Sequence, residues 1–163
     1  MNKTAVLKIR RVTEKDGRLL WEWVNDPGVR SSAFSSEPIL WPAHEVWLRG
    51  KLQDPGCIFL IVTDEEDRPL GQVRFDRIEE ETVETDMSVA PSFRGQGLGP
   101  RVLIRACEEL QAISRQVRTL TAAIKLENRA SIRTFEKAGF QHQRRRSIKG
   151  NEAIVMSLEI PSQ

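Results

Sequence analysis

The chain of 163 residues contains no tyrosine and only two cysteines and two histidines. Two thiols are too few for a disulfide framework, so we expect Cys57 and Cys107 to be reduced and buried. With so few histidines and no CxxC or HxxxH spacing, the sequence predicts no metal site. No apolar run approaches the roughly 20 residues of a membrane-spanning helix, and the N-terminus lacks a signal-peptide core. We therefore expect a cytoplasmic protein that does not bind membranes.

An excess of charge of one sign is also missing. The net charge of +2 is too small to predict nucleic-acid binding. A content of 39% hydrophobic and 29% charged residues is typical of a globular protein, and the length is that of one ordinary domain. We therefore expect residues 1–163 to form a single domain, either as a monomer or as a homodimer through an exposed sheet edge.

Apolar periodicity predicts the element order β-α-α-β-β-β-α-β-α-β-β, which is an α+β or α/β domain with a mixed central sheet flanked by about four helices. Residues 30–41 are rich in serine and interrupted by Pro38, so we expect a loop there. The first helix follows Thr13 and ends near Asn25, and the others cover 42–52, 98–113 and 128–138. The predicted strands cover 5–10, 57–63, 70–78, 83–90, 120–124, 140–148 and 153–158.

The most informative segment is the glycine-rich run at residues 94–99, RGQGLG, between a strand and an amphipathic helix. Glycines allow a sharp turn and close approach of a ligand, and the helix start presents free N–H groups and a positive dipole end. Such a site suits phosphate or pyrophosphate. It is not a P-loop, because no GK[ST] follows, and its glycine spacing does not suit a dinucleotide fold. From spacing alone, a plain glycine-rich turn is the alternative.

The spacing R-x-x-G-x-G over residues 94–99, directly after a strand ending at Val89, resembles the acetyl-CoA pyrophosphate loop of the GNAT superfamily. Residues 127–140, ENRASIRTFEKAGF, are similar to that family's second signature, N-x-x-S-x-x-x-Y-E-K-x-G-F. Both motifs occur in the family's order and separation, and the resemblance spans nearly the whole chain. It implies an acetyl-CoA-dependent N-acetyltransferase that uses acetyl-CoA as cosubstrate, needs no metal and acts on a small-molecule amine.

The resemblance also implies which residues bind the cofactor. The loop would present backbone amides to the pyrophosphate, and the strand before it would pair with the pantetheine arm as an added strand does. Pro100 departs from the pattern because it has no N–H to offer. We expect some affinity for the cofactor either to be lost or to be recovered from Arg101. The implied set is Met87, Ser88, Val89, Arg94, Gly95, Gln96, Gly97, Leu98, Gly99, Arg101, Asn128 and Phe135.

Phe135 is a larger departure, because many relatives carry tyrosine there as the acid that protonates the departing thiolate. Phenylalanine cannot donate a proton. We therefore expect Ser131, a water molecule or no dedicated acid to serve. The missing tyrosine also keeps open the alternative of a catalytically weak acyl-CoA-binding sensor or interaction module.

An amine that attacks a thioester must first lose a proton to a base. Glu84 matches the glutamate of the E-I-G-I-x-V strand pattern of the superfamily, and Asp86 lies on the same strand face. We expect Glu84 to act as the base, with Asp86 as the second candidate and a solvated strand face as the alternative for both. His44 is another possible base, although a lone helix histidine is more often a surface group.

Two tryptophan-containing segments bear on the acceptor. Residues 23–30 and 41–47 resemble the W-x-N-D-P-x-V-R and W-x-x-H-x-x-W patterns of two GNAT branches. One branch acetylates nucleotide-linked amino sugars, including those of the pseudaminic acid pathway, and the other acetylates the N-termini of ribosomal proteins. We favour the amino sugar, with a protein N-terminus as the alternative. The implied substrate-binding residues are Asn25, Arg30, His44 and Trp47, although core packing and helix capping are plainer explanations for the tryptophans and the arginine.

The predicted reaction is direct transfer. The cofactor would lie in an opening between the strands at 83–90 and 120–124, with a backbone N–H near Met87 or Ser88 holding the thioester carbonyl. Cys107 lies on the apolar stripe of its helix, so we expect it to be a poor nucleophile.

Overall fold

The computed structural model describes residues 5–162. Within them, five α-helices and seven strands form, in the predicted order except for one additional helix. The strands are β1 Lys8–Arg11, β2 Cys57–Thr63, β3 Pro69–Glu79, β4 Thr82–Val89, β5 Thr119–Lys125, β6 Gln141–Ile148 and β7 Asn151–Glu159. The helices are α1 Gly17–Val24, α2 Pro27–Ser32, α3 Trp41–Gln53, α4 Leu98–Ile113 and α5 Arg129–Lys137.

All seven strands belong to one sheet with the order β1-β2-β3-β4-β5-β7-β6. Neighbours pair antiparallel except β4 and β5, which are parallel. The sheet is therefore mixed, which confirms the predicted fold class. The long connection between β4 and β5 contains α4, as a parallel crossover requires.

Helices cover both faces of the sheet. The larger core lies beneath α4 and α5, and a second core lies beneath α1 and α3 on the opposite face. The continuous apolar run of β2 follows from this arrangement, because Leu60 and Val62 enter the first core while Phe59 and Ile61 enter the second.

The additional helix is α2, in a segment that the sequence analysis assigned to a turn and a loop. The prediction was wrong for residues 27–32 because turn chemistry and helix-start chemistry use the same residue types. The carboxylate of Asp26 accepts hydrogen bonds from the N–H groups of Gly28 and Val29 at 3.0 and 3.3 Å. Pro27 occupies the first helical position, where its missing N–H does no harm.

Two further predictions concern features of the whole fold. Within residues 5–162, no helix is long and apolar enough to cross a bilayer. Over the same residues, no three metal-ligating side chains lie close enough together to hold a metal ion. Cys57 and Cys107 are both free and buried, as expected.

Candidate active site

The centre of the sheet is open because β4 and β5 diverge. Their pairing covers only Thr82–Glu84 against Thr119–Thr121, although the strands continue to Val89 and Lys125. The N–H of Ala90 donates to Leu70 of β3, so the main-chain groups of even-numbered β4 residues face β3. By alternation, those of Thr85, Met87 and Val89 face the opening. An extended ligand arm inserted here would meet a strand edge.

The glycine-rich segment lies at one end of this opening. Gly95 and Gly97 adopt left-handed φ angles of 74° and 71°, which glycine adopts without the strain that a Cβ imposes. Gly97 is the N-cap of α4, no side chain caps it, and the first turn contains no acidic residue. The first amides and the dipole of a 16-residue helix are therefore directed to one point, as anion-binding sites require.

A cleft of about 780 Å³ runs from this loop through the opening to the face covered by α1 and α3. Its walls come from α1, α2, α3, β3, β4, β5, α4 and α5. Of the predicted cofactor-binding residues, those that border the cleft are Met87, Ser88, Val89, Arg94, Gly95, Gly97, Leu98, Gly99, Asn128 and Phe135.

Gln96 and Arg101 do not border the cleft. Arg101 donates through Nη2 to the carbonyl of Ala5, so its guanidinium is used in bracing the N-terminal segment. Arg94 borders the cleft, but its Nη1 donates to Asp26 at 2.6 Å and its Nε donates to the carbonyl of Val89 at 3.3 Å. The hydrogen bond and charge of Arg94 hold the pKa of Asp26 below its usual value. Arg94 thus ties the loop to α2.

The second signature builds the α5 wall. The Oδ1 of Asn128 accepts from the N–H of Ser131 at 3.2 Å and caps the helix, which leaves its Nδ2 for a ligand. Ser131 also borders the cleft. Phe135 is buried and packs edge-on against Phe140 with 4.9 Å between ring centroids, so it shapes the wall without offering a proton.

Of the two carboxylates predicted as the base, Glu84 and Asp86, the structure brings only Asp86 to the cleft. Registers place Glu84 opposite Asp76 and Asp86 opposite Arg74, on the sheet face toward α1 and α3. Asp86 borders the cleft, and Glu84 does not. The Oδ2 of Asp86 accepts from Gln72 Nε2 at 3.1 Å and lies 3.7 Å from Arg74 Nη1.

Arg74 lies beside the Asp86 carboxylate on the same sheet face. Its guanidinium lies 5.0 Å from the ring centroid of Trp47 and 5.6 Å from that of Phe59, and its Nε donates to Asp76 at 2.7 Å. Burial lowers the pKa of Arg74, but Asp86 and Asp76 outweigh it, so the pKa lies above its ordinary value. Arg74 is therefore a permanent, half-buried cation whose Nη1 lies 3.7 Å from the Asp86 carboxylate.

His44 is buried, contrary to the surface position favoured from sequence. It is 3% exposed, because Trp41 and Trp47 enclose its ring at centroid distances of 6.1 and 5.4 Å. Burial lowers its pKa, so the ring is neutral at neutral pH. His44 and Trp47 both border the cleft.

Asn25 and Arg30 hold the chain that follows α2. Asn25 exchanges hydrogen bonds with the main chain of Ile39 at 2.8 and 2.9 Å. Arg30 donates to the carbonyls of Val24, Ser35 and Glu37 at 2.7 to 3.1 Å. These contacts engage the amide of Asn25 and the Nε and Nη1 groups of Arg30 with backbone, so both side chains stabilise the segment at residues 33–40. Arg30 borders the cleft, and Asn25 does not.

The cysteines do not contribute a nucleophile to the cleft. Burial raises the pKa of Cys107 to about 12, and burial together with Asp76 raises the pKa of Cys57 to about 12. Thiols with such values remain protonated and unreactive at neutral pH.

The sequence analysis did not include Gln72 and Arg74, which both border the cleft, among the candidate site residues. A signal was present in β3, where Gln72, Arg74 and Asp76 alternate with the core residues Val73 and Phe75. A polar row on a central strand whose face is covered by helices is unusual.

The parallel strands β4 and β5 diverge beside the uncapped, glycine-rich start of α4. This arrangement is typical of a protein that binds a phosphate-bearing ligand with an extended arm. Residues 7–141 match the family described as acetyltransferase (GNAT) domain. The chain belongs to the GNAT acetyltransferases. It is an N-acetyltransferase, and its cosubstrate is acetyl-CoA.

Solved structures share this fold. A spermidine N-acetyltransferase from Vibrio cholerae, in complex with CoA and spermine, superposes with a TM-score of 0.83 at 19% identity and covers 94% of this chain and 95% of its own. The aminoglycoside acetyltransferase AAC(6')-Ib, in complex with coenzyme A and kanamycin, gives a TM-score of 0.78 at 22% identity, with coverage of 94% and 95%. No curated protein sequence matches the chain.

Proposed function

We propose that the enzyme transfers the acetyl group directly to a primary amine that is deprotonated at Asp86. The observation that carries this proposal is the position of that carboxylate. Among the described residues that border the cleft, Asp86 is the one with a carboxylate, and it lies on β4 where the strand leaves β5. Glu84, which matches the sequence pattern, lies within the paired part of the two strands.

The surrounding residues suit this chemistry. Acetyl-CoA supplies the acetyl group as a thioester. The N–H of Met87 faces the opening, whereas that of Ser88 faces β3, so Met87 is the donor we assign to the thioester carbonyl. Asp86 takes the proton of the amine as nitrogen attacks. Ser131 borders the cleft on the α5 wall, and we assign to it, or to a water it holds, the proton that the leaving thiolate needs.

The acceptor we propose is a nucleotide-linked amino sugar. Support comes from the charges around the face toward α1 and α3. Strand registers align Arg146, Ala153 and Lys125 in one row on that face, and Arg144 lies in the next row with Ala123. Ala123 borders the cleft. Lys125 is buried and its Nζ donates to the carbonyl of Ser31 at 3.0 Å, so Arg144 and Arg146 are the two cations of these rows that we assign to an anionic group such as a diphosphate. Among the described residues that border the cleft, a polycation would find one carboxylate, that of Asp86.

This proposal is tested by measuring thiol release from acetyl-CoA with a panel of amines. The panel contains UDP-linked amino hexoses that differ in the carbon bearing the amine, an alanine-starting peptide, spermidine and kanamycin. We expect the highest kcat/KM with a UDP-linked sugar. Faster turnover of the peptide would favour the N-terminal alternative, and faster turnover of spermidine or kanamycin would refute an anionic acceptor.

Matched variants separate charge from general damage to the hairpin. Arg144→Ser with Arg146→Ser removes two cations from the acceptor face, whereas Arg145→Ser removes one from the opposite face, where it lies beside Ile154. We expect the double variant to raise KM for the UDP-linked sugar by about tenfold, since two phosphate contacts are lost. Arg145→Ser should leave this KM unchanged, and an equal effect of both variants would contradict the assignment.

A further inference from the structure

Three buried side-chain polar atoms have no hydrogen-bond partner in the described part of the chain. They are His44 Nδ1, Gln72 Oε1 and Thr85 Oγ1. All three residues border the same cleft. A buried polar atom without a partner destabilises a protein, and native structures contain few of them. Gln72 and His44 lie on the sheet face toward α1 and α3, whereas Thr85 lies on the opposite face, opposite Phe75. The first two therefore indicate polar positions that a ligand on the acceptor side completes.

Gln72 is the most informative of the three. It is 8% exposed, at the centre of β3. Its Nε2 donates to Asp86 Oδ2 at 3.1 Å and to Ser88 Oγ at 3.2 Å. This contact sets the orientation of the amide, because the reversed amide would place its oxygen against the carboxylate. The unpartnered atom is therefore the carbonyl oxygen.

An amine bound at Asp86 supplies the donor that this oxygen lacks. A primary ammonium carries three N–H groups, and one carboxylate does not satisfy them all. Because Nε2 contacts Asp86 Oδ2 at 3.1 Å, an amine held at this carboxylate would be a neighbour of the Gln72 amide, whose other end is Oε1. A purely structural glutamine would be expected to have both ends of its amide paired within the protein.

We propose that Gln72 binds the acceptor amine through Oε1 and positions Asp86 through Nε2. This inference rests on the proposed role of Asp86. The amide then orients both partners of the proton transfer, with the carboxylate held on one side and the amine on the other. Such orientation acts on the bound amine and leaves the pyrophosphate loop untouched.

The first test is Gln72→Met, which keeps the shape and removes both polar ends. The matched control is Gln116→Met, the same change at an exposed position outside the cleft. With the UDP-linked amino hexose that the wild type acetylates fastest, we expect kcat/KM for the sugar to fall about tenfold to a hundredfold, as for the loss of hydrogen bonds to charged groups. Calorimetry should give an unchanged Kd for CoA. The Tm should change little, since the loss of the hydrogen bonds from Nε2 to Asp86 and Ser88 is offset by the removal of an unpaired buried oxygen.

A lower Tm together with weaker CoA binding would show a structural role and overturn the proposal. Full activity of Gln72→Met would overturn it equally. Gln72→Glu provides a second check, because it keeps an oxygen for the amine but places a second carboxylate against Asp86. We expect its activity to stay below that of the wild type, and full rescue would contradict the positioning role.

A second measurement does not depend on turnover. The side-chain amide NMR signals of Gln72 are recorded in the CoA complex with a UDP-linked amino hexose, and again with UDP-glucose, which carries a hydroxyl in place of the amine. We expect a shift with the amine that the hydroxyl sugar does not produce. Signals that do not move with any amine of the panel would overturn the proposal. If the signals move but no amine is acetylated, the proposed reaction fails while the Gln72 contact stands.

Discussion

Replacement of Asp86 by asparagine tests the assignment of the base most directly. The substitution preserves the shape of the side chain, and an asparagine oxygen can still accept from Gln72 Nε2, which donates to Asp86 at 3.1 Å. Arg74 keeps its partner Asp76 at 2.7 Å, so the half-buried guanidinium is not left without a counter-charge. What is lost is the ability to take a proton from the amine.

The expected magnitude follows from that loss. General acid–base groups contribute about 10² to 10⁴ in rate, which corresponds to roughly 3 to 5 kcal/mol in the activation barrier. We therefore expect kcat of Asp86→Asn to fall by about two to four orders of magnitude with the fastest amine. The Kd for CoA should not change, because the pyrophosphate loop lies at residues 94–99.

The assay is thiol release from acetyl-CoA at neutral pH, with CoA affinity measured by calorimetry on the same preparation. Glu84→Gln is the matched control, since it removes a carboxylate two residues away on the same strand face. We expect this control to retain the wild-type rate. Loss of activity in Glu84→Gln with retention in Asp86→Asn would refute the reasoning and return the role of base to Glu84.

Three further substitutions test the glycine-rich loop, the cap of α2 and the buried histidine. Gly97→Ala places a Cβ on a residue whose φ is 71°, so the free energy of unfolding should fall by about 1 to 2 kcal/mol. CoA should also bind more weakly by calorimetry. An unchanged CoA affinity would contradict a cofactor role for the loop. Asp26→Ala removes the cap of α2 and the partner of Arg94, so urea unfolding should show a loss of about 1 kcal/mol, whereas Asp26→Asn should recover most of the capping. Burial lowers the pKa of His44 in the folded chain below its unfolded value of about 6.5. The unfolded state therefore binds the proton first, and the free energy of unfolding falls as pH drops below about 6.5, by up to about 1.4 kcal/mol per pH unit. His44→Phe should flatten the dependence of Tm on pH between neutral pH and pH 5, and an unchanged slope would refute the buried, neutral state of His44.

The parts of the site that local chemistry decides were predictable from sequence. Gly95 and Gly97 require left-handed angles whatever surrounds them, and the apolar stripe of α4 begins directly after them, so the loop and its helix follow from neighbouring residues. The apolar run of β2 likewise predicts a strand covered on both faces. The Asn25–Gly28 segment also carries turn chemistry, but its Asp26-Pro27 pair starts a helix, because the Asp26 carboxylate accepts from the N–H groups of Gly28 and Val29.

The roles of the charged side chains were decided only by the tertiary structure. Alternation places Glu84 and Asp86 on one face, but where β4 and β5 separate determines which carboxylate borders the cleft. Arg30 is engaged by carbonyls from the following loop. The sequence by itself determined the backbone of the glycine-rich loop and of the helix start after it, because glycine geometry and helix starts are local properties. The acceptor side arises where distant segments meet, since burial and pairing are set by neighbours remote in the chain.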